Sequence, residues 1–220
     1  SGQGFIGEQM DVIQSIPFTD IPGFIATRVS GHDGPVMLVK SGGHPVLFFK
    51  GRFHWYAGAS ATQFHAMMQL ALVLGCQTVL LTNAAGSLNP NMHPSELVMI
   101  DDHINLQTNP LTEAKFQNKT MFVDMGEPYS KAIQGLLKSC AEVSQCRLHT
   151  GTYMGVMGPN FETRAEVKLF RQMGADVVGM STVADVLVAR YYGLKVGCIS
   201  AGVNFGAGIA SEQLSHELTL

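Results

Sequence analysis

TGTYMGVMGPNFETRAEVKLFRQMGADVVGMSTVADVLVARYYGLKVGCIS, residues 150–200, decides the fold class. It reads as strand, helix, strand, helix, strand. TGTYMGVMG is a Gly-punctuated strand, Thr163–Met173 carries a helical pattern, and ADVVGM is a strand again. Thr182–Tyr192 is the second helix and KVGCIS a buried strand. Short apolar runs alternating with helical patterns are the mark of an α/β sheet that is largely parallel.

The sequence before this stretch extends the pattern. VMLVK (36–40) and PVLFFK (45–50) are two strands joined by SGGH, an early hairpin that makes the sheet mixed. Phe64, Met67, Met68, Ala71 and Leu72 form one apolar stripe, so Ser60–Gly75 is a helix that stops at its glycine. TVLLT (78–82) is a strand followed by a Gly/Asn/Pro loop, and LVMID (97–101) is another strand. Residues 105–127 are polar and irregular, and Tyr129–Gln145 is a helix. No linker or repeat divides the chain, so residues 1–220 read as one domain, a mixed central sheet flanked by helices.

Composition narrows the function. The chain is 46% hydrophobic and 14% charged, enough for a large core. Its net charge is −3 with no run of Lys or Arg, which argues against nucleic acid and anionic membrane as partners. Its longest apolar runs fall far short of the ~20 residues that span a bilayer. Four Cys without metal-ligand spacing read as reduced thiols of a cytoplasmic protein.

In such sheets, ligands gather at the loops leaving the carboxyl ends of strands. Four loops qualify, after Lys50, Thr82, Met157 and Ser200. GRFHWYAG (51–58) sets Arg52 and His54 two residues apart, an anion seat or a solvated loop. TNAAGSLNP (82–90) places small residues where a ligand can approach the backbone, or makes a plain tight turn. In GMSTVADVLVAR, Ser181 and Thr182 stand where a helix begins, as caps, as an anion site, or as both. SGQG (1–4) is a Gly-rich turn whose backbone N–H groups can cradle a phosphate. In SAGVNFGAG, Asn204 follows a buried strand and must find partners for its amide. Glu162, between Phe161 and a helix start, is either a cap or a ligand contact.

Taken in order, GRFHWYAG, TNAAGSLNP, DDHIN, GPNFET, GADVVGMST and VNFGAG resemble the trimeric purine nucleoside phosphorylase family across essentially the whole chain. The resemblance implies cleavage of purine nucleosides by inorganic phosphate to free base and ribose 1-phosphate, with phosphate as co-substrate and no metal or organic cofactor. It implies a phosphate seat of Ser1, His32, Arg52, His54, Ser181 and the backbone of Ala84. It implies a ribose site of Tyr56, Met180 and His216, with Phe122 reaching the neighbouring subunit's sugar site in a homotrimer. Base recognition falls to Glu162 and Asn204 beside Phe161, with His54, Glu162 and Asn204 the catalytic set. Asn204 implies a preference for the 6-oxopurine nucleosides inosine and guanosine. Against the family pattern, the core strand before SGQG and the helix after His216 are expected to be lacking. Ala57 stands where an acidic residue is usual, the loop after Leu111 is short, and the usual Thr before the Asn is replaced. A weakly catalytic nucleoside binder and a nucleoside hydrolase are the alternative readings.

Overall fold

The structure is a computed structural model of the chain and describes residues 10–25, 34–112 and 122–210. Among the described residues, eight strands and four α-helices follow one another. β1 (Asp11–Ile16), β2 (Val36–Ser41) and β3 (His44–Phe49) lead into α1 (Ala61–Val73), then β4 (Thr78–Ser87) and β5 (Leu97–Asn105). α2 (Lys131–Val143), β6 (Leu148–Gly155), α3 (Arg164–Gln172), β7 (Val177–Gly179), α4 (Val183–Tyr191) and β8 (Lys195–Phe205) complete the order.

The strands form a three-stranded antiparallel sheet, β1-β2-β3, and a closed barrel, β4-β7-β6-β5-β8. The barrel is mixed. β4 runs parallel to β8, and β6 runs parallel to both β5 and β7; β4–β7 and β5–β8 are antiparallel. The mixed α/β architecture expected from the sequence is therefore present, with the early hairpin set in a sheet of its own. β1 was not foreseen: all six of its residues are exposed, so no apolar alternation marks it.

Two strands are longer than the sequence suggested. β4 continues through Asn83–Ser87, read above as loop, because those residues keep pairing with β8 up to Ser87↔Phe205. β8 likewise runs on to Phe205, so Asn204 lies within a strand and not beyond one. Small side chains favour loops only on average; here they let two parallel strands stay in register, with one irregularity at Ala85/Gly86.

The helices are specified locally. Ser60 and Gln63 form a capping box at the start of α1, and Gly75, at φ 84°, provides the left-handed residue past its end. Thr163 and Glu166 form the same device on α3, where the Thr163 N–H donates to Glu166 Oε2 at 2.7 Å. That answers the first question about Glu162: the helix is capped without it. α4 is buried from Val183 to Ala189, the signature of a helix inside a core.

One apolar cluster joins both sheets, running from Phe18, Phe24 and Phe53 through Phe64 and Met67 to Val186, Val188 and Cys198. A cavity of about 460 Å³ opens between the small sheet and the end of α1, lined by Ile16, Val36, Leu38, Leu70, Leu74 and Cys76 among others. Phe64 is 2% exposed and packs against Trp55, the sole tryptophan, with ring centroids 4.7 Å apart. Phe64→Ala is expected to cost about 3–5 kcal/mol. A urea titration followed by Trp55 emission should show a lower midpoint, and emission from the folded state should itself change. An unaltered midpoint would remove Phe64 from the core.

Candidate active site

Three chain segments meet at one buried guanidinium. Arg52 sits in the loop after β3, and only 8% of it is exposed. Its Nη2 donates to Ser181 Oγ at 2.7 Å and its Nη1 to Thr182 Oγ1 at 3.4 Å, both in the turn between β7 and α4. From β4, Asn83 Nδ2 donates to the same Thr182 hydroxyl at 2.9 Å, so the residue next to Ala84 is tied to that turn. Ser181 Oγ and Thr182 Oγ1 are 3.1 Å apart, and the Ser181 N–H donates to the Tyr153 hydroxyl of β6 at 3.3 Å. Behind them stands Asp185 of α4, 1% exposed, with Oδ2 3.5 Å from Arg52 Nη1.

Burial sorts these residues into two layers. Tyr56, Ala84, Phe161, Glu162, Met180, Ser181 and Asn204 are all half-buried, open enough to meet a ligand. Asn83, Tyr153, Thr182 and Asp185 are buried, and Tyr153 and Thr182 contact Ser181 directly. Arg52 and His54 are buried as well. The His54 ring lies 4.8 Å from that of Tyr56, at 31°.

The loop carrying Phe161 and Glu162 abuts the turn carrying Met180. Gly158, at φ 65°, is the contact: a Cβ placed there would overlap Met180 Sδ. Glycine therefore serves both the left-handed backbone and the close approach. Burial pushes the Glu162 carboxyl up, its own backbone N–H counteracts this, and nearby Glu166 adds to the rise. On β8, Asn204 faces Gly86 of β4, and Gly86 in turn pairs with Val178 of β7. Its Nδ2 donates to Phe205 O at 2.9 Å, which leaves a second N–H and Oδ1 for other partners.

The sequence-derived residues are thus not all in view. Arg52 and Ser181 are in direct contact, with Ala84 one residue from the Asn83 link. Met180 adjoins the Glu162 loop through Gly158. Phe122 is 88% exposed, so none of the described residues encloses it. Ser1, His32 and His216 lie outside the described residues. Sequence reasoning missed Asn83, Tyr153, Gly158 and Asp185. Of these, Asn83, a polar residue just after the apolar strand TVLLT, and Asp185, a carboxylate inside the apolar run TVADVLVA, carried a visible signal.

Thr182 corrects one expectation. It occupies the N-cap position of α4, yet its side chain makes no cap hydrogen bond. Its backbone sits at φ 73° and ψ −52°, and the Val183 N–H donates to Ser181 O at 2.8 Å. That is the strained, positive-φ γ-turn, rare for any residue and more so for a β-branched one. Such strain persists only where the surroundings over-determine it. Here the hydroxyl accepts from Arg52 and Asn83 instead of capping the helix. Because glycine relieves the backbone strain and alanine does not, Thr182→Gly should be more stable than Thr182→Ala by about 1 kcal/mol. Chemical denaturation of the two variants measures this; the reverse order would show that the turn is not strained.

The described residues are those of a wider group of proteins. The Phosphorylase superfamily profile matches residues 3–220. Purine nucleoside phosphorylase 1 of Geobacillus stearothermophilus is 38% identical over 219 residues, which are 99% of this chain and 80% of the relative. The purine nucleoside phosphorylase of Bos taurus is 37% identical over 89% of this chain and 70% of its own length. The crystal structure of Schistosoma mansoni purine nucleoside phosphorylase in complex with inosine superposes with a TM-score of 0.92 at 31% identity, over 99% of this chain and 80% of that one. The complex of the Schistosoma mansoni enzyme with adenosine gives 0.91 at 30% identity, over 100% and 80%. With its fold and nearly its whole length matched in this way, the chain belongs to the phosphorylase superfamily, among the purine nucleoside phosphorylases.

Proposed function

We propose that this enzyme cleaves 6-oxopurine nucleosides, inosine and guanosine, with inorganic phosphate to give the free base and ribose 1-phosphate. The observation that carries the reading is the buried Arg52 fork fixed on Ser181 at 2.7 Å. A guanidinium beside a half-buried hydroxyl offers an oxyanion charge and directed donors together. Ser1, His32, His54 and the Ala84 backbone complete the seat in this reading.

The chemistry asks for that arrangement. The glycosidic bond breaks as positive charge builds on the sugar and negative charge on the purine. A phosphate held beneath the ribose is both nucleophile and countercharge, so positioning it supplies much of the acceleration. Tyr56, Met180 and His216 line the ribose. Asn204 donates to N7 of the leaving base, and Glu162 accepts the N1–H that a 6-oxopurine carries. A homotrimer, in which Phe122 serves the neighbouring sugar site, is consistent with the exposure of that ring.

The specificity follows from hydrogen-bond polarity. A 6-aminopurine presents a bare N1 to Glu162, setting lone pair against lone pair. Leaving such a buried acceptor unpaired discriminates strongly.

Inosine supplied with and without phosphate tests the reaction, with hypoxanthine release as the readout. Release is expected only with phosphate. Release without phosphate would indicate hydrolysis, and binding without release a nucleoside binder; either would overturn the proposal. Asn204→Asp should lower kcat/KM for inosine by about two powers of ten, the loss typical of one transition-state donor, and move the inosine-to-adenosine ratio toward adenosine. An unchanged ratio would end the specificity argument.

A further inference from the structure

Asp185 has no part in the reaction as described, and its surroundings are unusual. It is 1% exposed, and neither carboxylate oxygen accepts a hydrogen bond that meets ordinary geometry. Its ion pair with Arg52, at 3.5 Å, is longer than a good charge-assisted hydrogen bond. Arg52 meanwhile directs Nη2 at Ser181, toward the ligand side. One cation therefore stands between a buried carboxylate and the seat of a substrate oxyanion.

We propose that Asp185 is an internal counter-anion for Arg52, which the substrate oxyanion replaces, Asp185 taking a proton from solvent as that happens. The inference rests on the oxyanion seat proposed above. The proton ends on an Asp185 oxygen, and no other bond changes. Asp185 is a positioning residue, acting through Arg52 and not on the substrate.

The other groups around the pair favour this exchange. Burial raises the Asp185 carboxyl to about 6, against the attraction of Arg52 and the nearby N–H groups of Thr182 and Asp185 itself. It is thus charged near neutrality but close to its titration point. Cys198 of β8 and Tyr153 of β6, the titratable groups facing the Arg52–Asp185 pair from the barrel, are pushed up to about 12 and stay neutral. Tyr129, which faces Cys198, is raised well above the ordinary tyrosine range. A second anion on Arg52 raises a nearby carboxyl further, because like charges disfavour ionisation. Asp185 is then a described group placed to accept the proton, and the infrared readout below separates it from the His54 imidazole of the same seat.

Sulfate, which does not titrate near neutrality, is the probe. Calorimetry of the full chain in two buffers of different ionisation enthalpy, near pH 6.5, should show uptake on the order of half a proton per site. Difference infrared spectra of the unmodified protein should gain a protonated-carboxyl band on sulfate binding, a signal no histidine gives. Asp185→Asn should abolish both, bind sulfate about threefold more tightly near pH 6.5 and about tenfold above pH 8, and lower the KM for phosphate similarly, the effect of about one pKa unit of coupling. Sulfate binding with no new carboxyl band, or an Asp185→Asn variant whose KM for phosphate is unchanged or raised, overturns the inference and leaves the seat intact. No sulfate binding at all, with Arg52→Gln also leaving the phosphate KM unaltered, removes the seat and the inference with it. The infrared result stands on its own should Asp185→Asn fail to fold.

Discussion

The site depends on keeping a guanidinium charged out of water. Burying a lone cation costs far more than one hydrogen bond returns, so Arg52 must be compensated on several sides. Ser181 and Thr182 provide oxygen acceptors, and Asp185 provides charge. These partners come from the β7–α4 turn and the first turn of α4. Arg52 comes from the far side of the molecule in sequence, 129 residues before Ser181. One side chain thus fixes the loop after β3 against the mouth of the barrel.

The Thr182 turn follows from the same demand. A helix entering at α4 with relaxed backbone would be capped by its own threonine. Instead the hydroxyl is drawn to Arg52 and Asn83, and the backbone bends into a costly shape to present it. Local rules and the needs of the site disagree at this residue, and the site prevails. Such conflicts are expected where function resides. The neighbouring Gly158–Met180 contact shows the same priority in packing, a glycine kept where any larger side chain would intrude.

Much of this was legible in the residues. The alternation of strands and helices, the hairpin at SGGH, and the stops of α1 and α3 all rest on local chemistry that a single sequence displays. The seat was legible as types, Arg52 with His54 and Ser181 at a helix start. What stayed hidden depends on distant pairing. Asn83–Ser87 look like loop until β8 is placed beside them. Thr182 looks like a cap until Arg52 and Asn83 arrive from elsewhere. β1 has no buried face, so no pattern could announce it. Asp185, a charge in an apolar helix, was not singled out in the sequence, and its partner Arg52 lies far earlier in the chain.

The division of the strands into two sheets has a mechanical side. Among the described residues, no backbone ladder joins β1-β2-β3 to the barrel, and a cavity of about 460 Å³ separates the small sheet from the end of α1. Arg52 and His54 follow the small sheet, whereas Met180 and Ser181 follow β7 of the barrel and Asn204 lies on its β8. In the proposed reaction, an anion held by Arg52 and Ser181 would bridge the loop that follows the small sheet and the turn that follows β7, and so brace two segments against each other as well as serve the chemistry.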